Sequence, residues 1–227
     1  MHPIAQKLKE SGYNILVPSL SGHTQSYDDF KHITHTAWII DVKQAYQLAQ
    51  AEAKAQNCPL YYIGFSLGGL LGVLLKAEGA LPHVEKMVLL APALETTFFA
   101  NLLVPFLYFK INISIPSRAP GFYRAHKKLP IQAYRAFFEI KTKLHELNMS
   151  QVNIPVKLYI DKKDELVSYK KLSRFIKQHT LDKWQVFKLN HKESKGIHHM
   201  IADPFYAGKN NWITMVDGAL ALFKKED

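Results

Sequence analysis

The feature that most narrows what this chain can fold into is Ile63-Gly64-Phe65-Ser66-Leu67-Gly68-Gly69, a Gly-x-Ser-x-Gly turn between two apolar runs. Leu60-Tyr61-Tyr62-Ile63 reads as a buried strand, and Leu70 to Leu75 as the start of a buried helix. No charge occurs from Ala55 to Leu75, a window long enough to cross a bilayer. Gln56-Asn57-Cys58-Pro59 opens that window, however, and Gly64, Ser66, Gly68 and Gly69 interrupt it, so strand, turn and helix fit better than a membrane span. A serine on so tight a turn projects its hydroxyl out of the sheet edge. Gly64 and Gly68 read as crowded positions where a side chain would clash. The helix N-terminus also places the Leu67 backbone N–H where an oxyanion would develop.

The flanking sequence alternates between the two kinds of element. Residues 3–11 have helical spacing and stop at Gly12, and Tyr13-Asn14-Ile15-Leu16-Val17 then reads as a strand ended by Pro18. Trp38, Val42, Ala45, Tyr46, Leu48 and Ala49 suit one face of a helix running to about Ala55. Further strands are expected at 84–90, 156–160 and 184–189, with helices at 168–179 and about 205–224. Alternation of this kind implies an α/β fold, a largely parallel sheet with helices on both faces. Neither an internal repeat nor a Gly/Ser-rich linker divides the 227 residues, so a single domain is expected over 1–227.

Composition excludes some partners. With 48% apolar and 21% charged residues, the chain is not of a disordered class. A single cysteine, Cys58, makes no internal disulfide, and the first ten residues lack the apolar core of a signal peptide, so the chain reads as cytoplasmic and soluble. The net charge of +10 is confined to one half: residues 1–113 hold 8 basic and 8 acidic residues, and 114–227 hold 21 and 11. That half is either an ordinary solvated surface or a peripheral contact for anionic lipid. Zinc-finger spacing, an aromatic RNA-binding box and a basic-plus-heptad segment are all absent, so no nucleic-acid partner is expected. The histidines form no ligand cluster of the His-Glu-x-x-His kind, so neither metal nor organic cofactor is expected.

A serine nucleophile needs a base, and the base an orienting carboxylate. Three carboxylates compete beyond the strand 156–160, at Asp161, Asp164 and Glu165, and three histidines beyond 184–189, at His191, His198 and His199. With its serine turn, the chain resembles the α/β-hydrolases of the esterase, monoacylglycerol-lipase and serine-aminopeptidase-like group, in which the order is Ser, acid, His. Ile160-Asp161-Lys162-Lys163-Asp164-Glu165-Leu166-Val167 aligns with that group's His-Gly-x-x-Asp-x-x-Val, which implies Asp164 as the acid and puts Asp161 where glycine is usual. Asp161 and Glu165 then read as solvated loop charges. The group's His, followed five residues later by Asp before the last helix, matches His198 and Asp203, implying His198 as the base. Leu20-Ser21-Gly22-His23 resembles the Pro-Gly-His loop, whose histidine is structural.

The resemblance further implies strands ahead of residue 3, ending in a His-Gly-x-x-Gly loop that supplies a second oxyanion N–H. His2-Pro3 does not replace it, so the sequence as written reads as lacking its N-terminal strands and as weak or inactive. Residues 92–150 lie where the group inserts a helical cap. Phe65 with Phe98, Phe99, Leu102, Leu103 and Phe106 are the candidate acyl-pocket residues, the alternative being an insertion that merely packs on the sheet. The expected function is serine hydrolysis of medium or long acyl esters, such as monoacylglycerols or lysophospholipids, with an amide-directed variant open. The other class is a catalytically impaired relative that binds a ligand or partner.

Overall fold

Residues 1–24, 26–97, 113–117, 119–121 and 123–224 are described by the computed structural model. Their strands are β1 (Leu60–Phe65), β2 (Val84–Leu90), β3 (Ser114–Pro116), β4 (Lys128–Pro130), β5 (Val156–Asp161) and β6 (Trp184–Leu189). Their helices are α1 (His2–Glu10), α2 (Tyr27–Phe30), α3 (His35–Ala55), α4 (Leu67–Ala77), α5 (Ile131–His145), α6 (Tyr169–Gln178), α7 (Pro204–Ala207) and α8 (Lys209–Phe223). β1, β2, β5 and β6 form a parallel sheet in that order, and β3 and β4 a separate antiparallel pair.

The continuous apolar runs exist because both faces of the sheet are covered. Met87 and Leu89 of β2 and Leu158 and Ile160 of β5 pack with α3, α4, α5 and α6, through Trp38, Leu70, Leu74, Ile140 and Leu172 among others. Val88 and Leu90 of β2 and Tyr159 of β5 face the other way, onto Ile4 and Leu8 of α1 and Met215, Ala219 and Phe223 of α8. Side-chain caps set the starts of several helices: Thr34 accepts from the Ala37 N–H, Ser168 from Lys171, and Asp203 from Phe205 and Tyr206.

Two expected elements differ. Residues 13–17 form no strand, and Ile15, Leu16 and Val17 are exposed. A strand's ladder comes entirely from a neighbour, and among the described residues no strand pairs with this segment or with the outer edge of β1. The final helix is divided into α7 and α8 at Gly208, whose φ is +83° and whose added Cβ would lie 2.5 Å from the Glu193 carbonyl oxygen. Of the proposed cap, residues 98–112 lie outside the described residues. The part that follows contains the β3–β4 pair and α5, which buries Ala136, Ile140 and Leu144 in the main core. Among the described residues no helix is long and apolar enough to cross a membrane.

Candidate active site

Ser66 sits between β1 and α4 with φ +49° and ψ −113°, a conformation non-glycine residues rarely adopt. The turn is held from below. Ser66 N–H donates to the Leu90 carbonyl at 3.0 Å, and the Ser66 carbonyl accepts from Leu70 N–H at 3.1 Å and Ala93 N–H at 3.0 Å. Gly64 is required by contact, since a Cβ there would stand 2.6 Å from Gly69 Cα and 2.8 Å from the Gly68 carbonyl carbon. Gly68 is not crowded: a Cβ would meet nothing within 4 Å. The second crowded glycine is instead Gly69, whose Cβ would lie 2.7 Å from Pro92 Cβ. Tyr62 lies under the turn, its hydroxyl donating to the Gly68 carbonyl at 2.7 Å, and burial holds its phenol well above the usual tyrosine range. Leu67 opens α4, so its N–H belongs to the first turn, where no intrahelical carbonyl is available.

Asp164 follows β5. Its Oδ1 accepts from the Leu166 and Val167 N–H groups, each at 2.8 Å, which closes the loop around a buried carboxylate. The residue brought to it is His199, with Nδ1 2.8 Å from Asp164 Oδ2 and Nε2 2.9 Å from Ser66 Oγ. A carboxylate only accepts, so Nδ1 carries the proton and the Nε2 lone pair faces the serine hydroxyl. The ring is buried and lies 5.1 Å, centroid to centroid, from Phe65. His198, the expected base, does not reach Ser66. Its Nδ1 donates instead to Asp161 Oδ2 at 2.8 Å. The loop places Asp203 four rather than five residues beyond the serine's partner, where its side chain caps α7.

The two carboxylates read as solvated are both engaged. Asp161 is fully buried and accepts from Lys163 N–H, the Ser194 hydroxyl and His198. Glu165 is exposed, yet its Oε1 accepts from the His198 N–H and its Oε2 from the His199 N–H, both at 3.0 Å. Sequence alone shows that a charge is present, not which backbone N–H groups it will meet. Thr97, whose hydroxyl donates to the Glu165 carbonyl at 2.9 Å, ties the acid loop to the segment after β2. Tyr123, in the β3–β4 connection, donates its hydroxyl to Asp203 Oδ2, and this bond pushes the phenol up to about 12. His23 is exposed beside Phe30 and lies outside the serine cluster. Of the expected pocket residues, Phe65 borders His199, whereas Phe98, Phe99, Leu102, Leu103 and Phe106 lie outside the described residues. Among the described residues no group of three or more potential ligands is placed to hold a metal ion.

A serine on a strained strand-to-helix turn, facing a carboxylate-bound imidazole, is the arrangement the family likeness requires. The sequence model of the serine aminopeptidase S33 family matches residues 1–203. The chain belongs to this family. Among relatives of this S33 chain, a thermostable monoacylglycerol lipase from Bacillus sp. (strain H-257) is 31% identical over 72 residues. That match covers 31% of this chain and 27% of the relative's length. Among solved structures, a metagenome-derived lipolytic enzyme from work on LipS and LipT superposes with a TM-score of 0.77 at 18% identity, covering 100% of this chain and 88% of that one. A soluble variant of the monoglyceride lipase from Saccharomyces cerevisiae gives 0.65 at 16% identity, covering 86% and 72%. These likenesses establish the α/β-hydrolase fold of the S33 chain.

Proposed function

We propose that this chain hydrolyses carboxylic esters of medium or long acyl chains, such as monoacylglycerols or lysophospholipids, with Ser66, His199 and Asp164 as the reacting triad. The observation that carries the reading is the continuous line from Asp164 through both nitrogens of His199 to Ser66 Oγ, at 2.8 and 2.9 Å. Ser66 Oγ attacks the ester carbonyl as His199 Nε2 takes its proton, and Asp164 stabilises the resulting imidazolium. The carbonyl oxygen gains negative charge at the N-terminus of α4, where the Leu67 N–H donates to it. His199 then returns the proton to the leaving alcohol, and water cleaves the acyl-enzyme by the same steps in reverse order.

Substrate class is supported by the relatives named as monoacylglycerol or monoglyceride lipases. Phe65, beside His199, is our candidate for the acyl pocket, and the apolar run of the 92–150 insertion that begins at Phe98 supplies its remaining candidates by sequence. An anionic lipid surface against the basic carboxy-terminal half would supply such substrates. In support, Phe205 is 61% exposed with the Lys195 ammonium 5.1 Å from its ring. The family's aminopeptidase name makes an aminoacyl amide the second substrate to try. The test is turnover of p-nitrophenyl esters of increasing chain length beside an aminoacyl p-nitroanilide, in wild type and Ser66→Ala. Ester cleavage that rises with chain length and disappears in Ser66→Ala is expected. Cleavage of the anilide alone, or turnover that survives in Ser66→Ala, refutes the reading.

A further inference from the structure

Two consecutive histidines of one loop each have a carboxylate of their own, one at the end of β5 and one in the loop that follows it. Asp161, at the end of β5, is fully buried. It accepts from Lys163 N–H at 2.9 Å, Ser194 Oγ at 2.7 Å and His198 Nδ1 at 2.8 Å. Three residues on, Asp164 holds His199 Nδ1 at 2.8 Å. We propose that the Asp161–His198 pair, with Ser194, positions His199 by fixing the register of residues 190–203, so that His199 and not its neighbour meets Asp164 and Ser66. The inference rests on the reading of Ser66, His199 and Asp164 as the reacting groups.

The need for such a device follows from chemical equivalence. His198 and His199 carry the same side chain, and a slip of one residue would bring His198 to Asp164 just as well. Glu165 does not discriminate by itself, because it accepts from the backbone N–H of both residues at 3.0 Å, and any two consecutive N–H groups would satisfy it. Asp161 does discriminate. After a slip, a fully buried carboxylate would lose the imidazole and hydroxyl donors that compensate its burial. A buried polar network with every member satisfied specifies one arrangement over its near neighbours. His198 therefore acts through the chain, on the residue beside it, and not on the substrate. Displacing a catalytic group by about 1 Å can cost a hundredfold in rate, so loss of this register is read in kcat and not in KM.

The test compares His198→Ala with His198→Asn, whose amide N–H₂ falls near the place of imidazole Nδ1 and keeps a donor on Asp161. In His198→Ala, kcat on a p-nitrophenyl ester should fall by up to about a hundredfold with KM unchanged; His198→Asn should recover most of that loss. Proton NMR provides a readout independent of turnover. The low-field resonance of His199 Nδ1–H, recognised by its loss in His199→Ala, should shift and broaden in His198→Ala and keep its wild-type position in His198→Asn. If the alanine variant does not fold, His198→Gln, whose amide falls near Nε2 instead, takes its place. Wild-type kcat with an unmoved His199 resonance in His198→Ala overturns the proposal, as does a His198→Asn variant no better than His198→Ala. If wild type cleaves no ester, the proposed reaction fails, and the resonance still decides whether His198 positions His199.

Discussion

Gly64 and Gly68 occupy equivalent places in the serine motif, yet the structure assigns them opposite sensitivities. Alanine at Gly64 would put Cβ 2.6 Å from Gly69 Cα and 2.7 Å from Gly69 N. Carbon atoms prefer about 3.5–4.0 Å, so the misfit is roughly 1 Å, and both opposing atoms are backbone at the start of α4. Neither can rotate away. Overpacking of this kind costs about 1–3 kcal/mol, which for a chain of this size lowers Tm by roughly 2–12 °C. The relief must come from opening the turn, which carries Ser66 away from His199 and costs about a hundredfold in rate. Alanine at Gly68 meets nothing within 4 Å and lies within α4, where it gains up to about 1 kcal/mol of helix propensity. Its Tm should rise by about 2–4 °C. Thermal unfolding followed by circular dichroism, beside the rate of fluorophosphonate labelling, measures both quantities. Equal loss of Tm in the two variants, or an undiminished labelling rate in Gly64→Ala, would refute the packing argument.

Two other sites yield predictions away from the serine. Lys76 is buried and donates to the carbonyls of Leu81 at 3.1 Å, Pro82 at 3.1 Å and Val84 at 2.9 Å, closing the turn after α4. Lys76→Met deprives all three of their charged donor at a cost of about 2–3 kcal/mol, so urea denaturation should show a lowered midpoint while labelling per folded molecule is unchanged. Tyr123 has its phenol raised to about 12 by its bond to Asp203. A raised folded value means that the stability this bond contributes is fully present below about pH 10, the usual tyrosine value, and is lost as pH rises through 12. Spectrophotometric titration of Asp203→Asn should show one tyrosine ionising nearer pH 10 than in wild type, and an unchanged titration curve would remove Asp203 as the cause.

The sheet was legible from short runs rich in apolar residues, and those at 84–90 and 184–189 coincide with β2 and β6. Tyr13–Val17 is also mostly apolar but pairs with no described strand, and pairing is not written in a segment's own residues. Ser66 was legible because its turn needs small residues at fixed spacing, although Gly69 and not Gly68 proved to be crowded beside Gly64. The histidine was legible only to within one position. Spacing to Asp203 favoured His198, whereas the path of a loop with three internal turns sets which imidazole arrives at Ser66. Asp161 differs from its reading as a solvated charge, whereas Glu165 is exposed as expected yet accepts two backbone N–H groups: charge is visible in a sequence, but burial and the N–H groups a carboxylate meets belong to the assembled loops.

In the reaction proposed for this chain, His199, held by Asp164, is the base that activates Ser66. Fluorophosphonate labelling measures this most directly, with the modified residue located by mass spectrometry in wild type, Ser66→Ala, His199→Ala and His198→Ala. Wild type should be modified at Ser66 and Ser66→Ala not at all. The His199→Ala rate should fall by about 10⁴ or more, as for loss of a triad member, against about a hundredfold at most for His198→Ala. A His198→Ala variant as inactive as Ser66→Ala beside a His199→Ala variant that labels normally would contradict the claim.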